Sequence, residues 1–224
     1  MRIIFREIYA MKSSDNTMRN LIMDAGIDVF SSGDFEQATM RAIAEKAQIP
    51  TTTIYKYFKN KDDLYITIIS LIVDRTNSEL NMQLTGLNST RSKVNRIARF
   101  QLEFFESNPK IGYLVFACVN ISYWYQHEKA IKKAQESSSQ LAKIIREGQR
   151  KKEVRTDIDH HVVNHLFFGA LRAMVVSWLY SRQSFRLSDM TDYFADAIYG
   201  AIMSRAAPPL FICPLMKGPD KPEK

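Results

Sequence analysis

With 46% apolar residues among 224, and only 8 glycines and 7 prolines, the chain carries enough apolar surface for a real core. A disordered polymer is excluded, and so few breakers favour long helices over many turns. The net charge of +7 hints at an anionic partner, but its distribution matters more. Residues 1–64 balance nine Lys/Arg against nine Asp/Glu, whereas Arg41, Lys46, Lys56, Lys59 and Lys61 within 39–61 face Glu45 alone.

Cys118 and Cys213 match no metal spacing and fit a reducing, cytoplasmic setting. Ile3, Ile4 and Phe5 are followed by Arg6 and Glu7, too short an apolar run for a secretory signal. The longest apolar run, Ile111 to Val119, is less than half a membrane span, so no membrane partner is expected.

In chain order, residues 1–15 show little pattern and are expected to form a flexible extension; Met1 and Met11 are equal candidates for the start. A helix is predicted from Thr17 to Phe30, with Leu21, Ile22, Ala25, Val29 and Phe30 on one face. It should stop at Ser31-Ser32-Gly33, where glycine can adopt the left-handed terminal conformation. Thr39 should cap a short helix to Ala47 that turns Met40, Ile43 and Ala44 inward. Pro50 suits the first turn of a second short helix reaching about Tyr57. Asn60 caps the next helix, to about Leu84, with Asp62 and Asp63 at the positive end of its dipole. Gly86 to Thr90 reads as a loop, and 91–105 as a helix carrying Val94, Ile97, Ala98, Leu102 and Phe105. Asn108-Pro109 opens another. Long helices are expected near 128–152, 158–181 and 188–205, with Asp157, Asp159 and Ser188 as start signals and Gly148 as a weak interior break. The proline-rich tail 206–224 is expected to be disordered. Nothing has strand period, so the class is all-α.

Three elements in 17–58 have helix-turn-helix proportions. The N-terminal residues of the last, Thr51, Thr52 and Thr53, are then placed to meet base edges, through hydroxyls or through methyls against thymine. Tyr55 and Lys56 face outward, while Ile54 and Phe58 turn in. The amides at the helix start, with Thr39 and Lys61, offer phosphate sites. The run Thr39-Met-Arg-Ala-Ile-Ala-Glu-Lys-Ala-Gln-Ile-Pro-Thr-Thr-Thr-Ile-Tyr-Lys-Tyr-Phe-Lys-Asn-Lys-Asp-Asp-Leu64 resembles the DNA-binding signature of the TetR family of bacterial regulators. The resemblance implies a homodimer on double-stranded operator DNA, with Thr39, Arg41, Thr51, Thr52, Thr53, Tyr55, Lys56, Tyr57 and Lys61 as contacts. Gln48 stands where many relatives carry glycine; if left-handed, it costs roughly 1 kcal/mol.

This organisation divides the chain into a helix-turn-helix domain, 16–64, and a helical effector-binding and dimerisation domain, 65–205. The second is rich in aromatics, each more readily explained as core than as ligand contact. Two stretches, Arg146-Glu-Gly-Gln to Ile158 and Phe167-Phe-Gly-Ala-Leu-Arg-Ala-Met-Val-Val-Ser-Trp178, resemble the branch that senses fatty acyl-CoA. That resemblance implies a small apolar effector in a cavity lined by Phe104, Phe116, Tyr123, Trp124, Phe168, Leu171 and Met174, with Arg172 meeting a carboxyl, carbonyl or phosphate group. The dimer is expected to use 158–181 and 188–205, through Val162, Leu166, Gly169, Ala173 and Val176 and through Tyr193, Phe194, Ala197, Ile198 and Ala201.

His161 and His165 lie one turn apart, but with no acidic or cysteine partner evident they read as surface or interface residues, and neither metal nor cofactor is expected. Nucleophile elbow, phosphate-binding glycine loop and His-Glu-x-x-His are all absent, so no enzyme is expected. The reading is a ligand-responsive repressor. Two alternatives stay open: a DNA-binding regulator whose aromatic domain is solid core, and an enzyme on a helical scaffold, which would need a cleft of convergent titratable groups.

Overall fold

The computed structural model describes residues 14–33, 35–118 and 128–203; the two terminal segments expected to be flexible lie, but for residues 14 and 15, outside the described residues. Helix α1 (Ser14–Ser31) is followed by a 3-10 turn, Phe35–Gln37, then by α2 (Met40–Lys46) and α3 (Thr51–Ile54). The second part comprises α4 (Lys61–Leu84), α5 (Thr90–Ser107), α6 (Pro109–Phe116), α7 (Glu128–Arg150), α8 (His160–Tyr180) and α9 (Thr191–Ile202). One antiparallel bridge, Val154 with Met203, is the extent of β-pairing among the described residues.

Local chemistry sets most boundaries. Thr39 Oγ1 accepts from the Ala42 amide at 3.1 Å, and Asn60 Oδ1 from the Asp63 amide at 2.8 Å. Asp159 caps α8 by accepting from the His161 amide at 2.6 Å. The end of α1 departs from expectation: Gly33 does not take up the left-handed conformation, which among the described glycines is found at Gly86. Ser31 and Ser32 instead turn their hydroxyls back onto the Asp28 and Val29 carbonyls, satisfying the helix end with side chains. Ser188 does not cap a helix either. A 3-10 turn, Leu187–Met190, precedes α9, and the Ser188 hydroxyl is buried without a partner.

Gly148 is no break. It lies inside α7, where an added Cβ would come within 2.5 Å of Thr90 Oγ1 and 2.7 Å of Val154 Cγ2. Only glycine lets α7 approach the start of α5 so closely. Just before it, Glu147 is bonded by both Lys151 and Lys93, which hold its carboxyl down at about 2.

A continuous apolar core runs from Ile22 in α1 to Ile202 in α9. Leu21 is the exception on α1, pointing outward at 43% exposure. The N-terminal helices and the larger part are joined through α6. Its Lys110 bonds Asp28 of α1 at 2.5 Å, Tyr113 Oη donates to the Gly33 carbonyl at 3.3 Å, and Cys118 Sγ, just past its end, donates to the Phe30 carbonyl. Tyr65 of α4, fully buried, donates to the Leu114 carbonyl at 2.7 Å.

Helix α8 is long and apolar enough to cross a membrane by length and composition, contrary to the reading from unbroken runs. Only 28% of that stretch is buried. One face, with Val163, Phe167, Leu171, Val175 and Trp178, enters the core, leaving an outer face that is also largely apolar.

Candidate nucleic-acid interface and effector cleft

The turn between α2 and α3 is a helix C-cap followed by a fresh start. The Ile49 amide bonds the Ala44 carbonyl at 3.0 Å and the Gln48 amide bonds that of Glu45 at 3.1 Å, while Gln48 sits at φ 56°. This is a left-handed cap on a residue with a Cβ, and it holds α3 across α2. Regular helix ends at Ile54, earlier than the expected Tyr57. The chain then tightens, with Lys56 bonding Thr53, and Tyr57 and Phe58 both bonding the Ile54 carbonyl. Ile54 and Phe58 are the anchors, both buried, and Arg19 of α1 stacks its guanidinium on the Phe58 ring.

That anchoring brings Thr51, Thr52, Tyr55 and Lys56 onto one exposed surface. Thr53 and Tyr57 are half-buried beside them. Thr39, at the edge, spends a lone pair on its cap and keeps its hydroxyl proton. Arg41 is exposed and paired with Glu45 at 3.0 Å, and Lys46 pairs with Asp28 at 3.5 Å. Lys56 and Lys59 make no ion pair with any described residue.

Lys61 is held differently. Its ammonium donates to the Phe35 carbonyl at 2.9 Å and the Glu36 carbonyl at 3.1 Å, over the face of the Phe35 ring. It therefore ties the start of α4 to the 3-10 turn before α2. The periodic pattern could not have revealed this, because the partners are backbone atoms 25 and 26 residues away.

Asp28 sits between Lys46 and Lys110. Burial alone would raise its pKa, but the two ammonium groups outweigh that and hold it below the ordinary value.

Behind α6 an open cleft of about 490 Å³ lies between Phe116 and Ala117 on one side and Gly169, Arg172, Ala173, Val176 and Tyr180 of α8 on the other. Of the expected lining it brings together Phe116 and Arg172. Phe104 and Leu171 are instead fully packed, Phe104 against Phe100 and Phe105, so they serve the core. Phe168 and Met174 are half-buried against that core, outside the cleft wall. Tyr123 and Trp124 lie outside the described residues. Gly169, Ala173 and Val176, expected on the dimer face, line the cleft as well; their spacing with Arg172 and Tyr180 is that of one helix face.

A second groove of about 520 Å³, lined by Lys143, Arg146, Gln149, Arg150 and Thr156, opens at the C-terminal end of α7. Lys151 there bonds the Asn88 carbonyl beyond the far end of α4, so the groove is remote from the DNA-binding end. His161 is drawn toward Asp159 and His160, which could together surround an ion, rather than toward His165. This acidic neighbour escaped the sequence reading; its carboxylate already caps α8.

Residues 22–68 match the model of bacterial regulatory proteins of the tetR family, and 77–201 match that of the YsiA-like protein C-terminal region. The chain is 21% identical over 203 residues to the fatty acid metabolism regulator protein of Bacillus subtilis, covering 82% of this chain and 95% of that one. Over 60 residues, 27% of this chain and 28% of the relative, it is 35% identical to the transcriptional repressor KstR of Rhodococcus jostii. Among solved structures, FadR from Bacillus halodurans superposes with a TM-score of 0.78 at 19% identity, covering 87% of this chain and all of that one. FadR from Bacillus subtilis in complex with stearoyl-CoA gives 0.77 at 18% identity, covering 82% and 98%. With both parts of the chain matched, and the larger match spanning more than half of it, this protein belongs to the TetR family of bacterial regulatory proteins and is a DNA-binding transcriptional regulator.

Proposed function

We propose that the chain is a cytoplasmic, homodimeric repressor that grips operator DNA with two copies of the Thr51–Tyr57 turn and releases it when a long-chain fatty acyl thioester binds. The observation that carries the DNA-binding part is the surface made by Thr51, Thr52, Tyr55 and Lys56, which has no intramolecular task. Thr51, Thr52 and Lys56 are assigned to base edges, and Tyr55, Thr39 and Arg41 to phosphates. Exposed pairs such as Arg41 with Glu45 are weak and open readily to a phosphate. Thr53 and Tyr57 reach the DNA from the rim. Lys61, bonded to two carbonyls, positions the domain rather than neutralising a phosphate.

The dimer reading rests on exposed apolar residues along α8 and α9. Val162, Leu166 and Tyr180 are 48%, 46% and 72% exposed, and Tyr193 is 76% exposed, with Ala197 and Ala201 beside it. Phe194 and Ile198 face the core and are withdrawn from this surface. Two recognition turns must meet successive major grooves about 34–36 Å apart, so a modest change in their separation prevents simultaneous docking. Helix α6 suits the transmission of such a change, since it carries the cleft wall at Phe116 and two ties to the DNA-binding end, with a third from Cys118 just past it. An effector favouring the wide state shifts the equilibrium by its differential affinity, typically about 1–3 kcal/mol. The acyl thioester itself is suggested by the two FadR relatives and the apolar cleft with its single cation.

Repeated selection from random duplex DNA tests the assignment. The expected product is a pseudo-palindrome with half-sites about one helical turn apart. Failure to enrich any sequence, or enrichment of a lone asymmetric half-site, contradicts it. A regulator without effector is favoured by the tight packing of Phe104 and Leu171, and would hold DNA equally at every acyl chain length.

A further inference from the structure

Three of the chain's four histidines, His160, His161 and His165, fall together at the start of α8. The connection that delivers them is tied down on both sides. Gln149 Nε2 of α7 donates to the Arg155 carbonyl at 3.1 Å and to the Ile158 carbonyl at 2.8 Å. The Arg155 amide donates to the Ile202 carbonyl of α9 at 2.9 Å. Asp159 then fixes its own side chain, since its Oδ1 accepts from the His161 amide at 2.6 Å. Its Oδ2 has no partner among the described residues.

The two imidazoles beside it are equally uncommitted. Their ring centres lie 4.2 Å apart, and His160 Nδ1 stands 3.7 Å from Asp159 Oδ1, too far for a hydrogen bond. One ligand atom from each of Asp159, His160 and His161 lies within 4.8 Å of the other two. A tetrahedral ion held at about 2.0–2.1 Å spaces its ligands about 3.3–3.4 Å apart, so side-chain rotation alone closes the set. His165, one turn further on, stands outside it. The positive end of the α8 dipole opposes any cation here, and the Asp159 carboxylate offsets that opposition. Two imidazoles and one carboxylate suit Zn2+ and its neighbours, whereas Ca2+ and Mg2+ need several more oxygens.

We infer that Asp159, His160 and His161 form a site for a divalent transition-metal ion of the zinc class, with a fourth position open to solvent. The ion fastens the end of the α7–α8 connection to the first turn of α8. Asp159 serves both purposes at once, capping the helix with Oδ1 and ligating with Oδ2. The cleft behind α6 begins about two turns further along α8, at Gly169, so the metal site is separate from it. The inference rests on neither the proposed dimer nor the proposed effector.

Zinc titration of the chelator-stripped full chain, followed by calorimetry, supplies the test. Binding at micromolar zinc is expected, and calcium should bind far more weakly. Asp159→Asn is the informative variant, because asparagine caps a helix as well as aspartate does but brings no charge. It is expected to weaken zinc binding at least tenfold while leaving the zinc-free melting temperature unchanged. His160→Ala and His161→Ala should each weaken binding at least tenfold, and His165→Ala should leave it as in the wild type. Because the ion binds the folded chain preferentially, zinc should raise the melting temperature of the wild type but not that of His160→Ala. Zinc affinity undiminished in Asp159→Asn and His160→Ala overturns the inference. Affinity lost in His165→Ala overturns it too, since the ion would then belong to the pair one turn apart. A wild-type chain that takes up no zinc at sub-millimolar concentration, or binds calcium equally well, also overturns it.

Discussion

The segment 39–61 and helix α8 each turn a face outward, and the two faces have opposite chemistry. The first buries Ile43, Ala44, Ile54 and Phe58 and leaves hydroxyls, a phenol and free ammonium groups outside. The second buries Phe167, Leu171 and Val175 and leaves valine, leucine, glycine, alanine and tyrosine outside, interrupted by His161, His165, Arg172 and Ser177. A polar exposed face is content in water, so its function rests on the pattern of donors it presents. An apolar one is not, and in the proposed dimer it is the face that a second copy covers. The proposed function thus assigns the same molecule two binding surfaces, recognised by two different signs.

Removing the outward side chains of the turn is expected to have the largest effect. Tyr55→Ala combined with Lys56→Ala is expected to weaken operator binding at least a hundredfold, each lost contact being worth about 1–3 kcal/mol. Fluorescence anisotropy measures this, and sedimentation should show the same dimer. Affinity within threefold of wild type would mean that DNA meets another surface.

Next in size is Gly148→Ala, which should leave both surfaces untouched and destabilise their common scaffold. The added methyl meets Thr90 and Val154, and overpacking of this kind costs about 1–3 kcal/mol. Thermal unfolding should fall by several degrees with operator affinity at room temperature unchanged. An unchanged melt would show that Thr90 and Val154 swing aside freely.

These cases separate what was legible in the sequence from what was not. The caps at Thr39, Asn60 and Asp159 depend on bonds spanning two or three residues, so composition at fixed offsets reveals them. The recognition turn was equally readable, since Ile54 and Phe58 alternate with exposed residues over one short stretch. Gly148 was misread, and the carbonyl partners of Lys61 were invisible, for a shared reason: each depends on a neighbour far away in the chain. An aromatic that packs and one that lines a cleft obey the same helical spacing, so Phe104 and Phe116 could not be told apart. Gly33 failed otherwise, because serine hydroxyls did the work assigned to the glycine.

Lys61→Ala sharpens the contrast between contact and support. Losing charged bonds to two carbonyls is expected to cost about 1–2 kcal/mol of stability, read by urea unfolding. The salt dependence of operator binding should keep its slope; a fall of about one unit would restore Lys61 to the phosphate contacts. Gln48→Gly relieves the left-handed cap and should stabilise by about 0.5–1 kcal/mol in the same assay. A loss of stability would show that the Gln48 side chain contributes more than its backbone strain costs.

The smallest effect expected is on pH. Asp28 is held below its ordinary pKa, so the stability it adds is fully present above pH about 4 and fades as pH falls through its lowered value. Asp28→Asn should flatten the acid limb of the unfolding profile below pH about 4. An identical limb in both proteins would remove Lys46 and Lys110 from the linkage between α1, α2 and α6.

The proposed regulation joins the two surfaces: what binds behind α6 decides whether the turn holds DNA. The direct measurement is anisotropy of a selected operator bound to wild-type protein while palmitoyl-CoA is added, with acetyl-CoA as the control. Release is expected with palmitoyl-CoA, operator affinity falling at least fivefold as for a coupling of about 1 kcal/mol or more, and no release with acetyl-CoA. An operator complex that persists unchanged at saturating palmitoyl-CoA would contradict the claim.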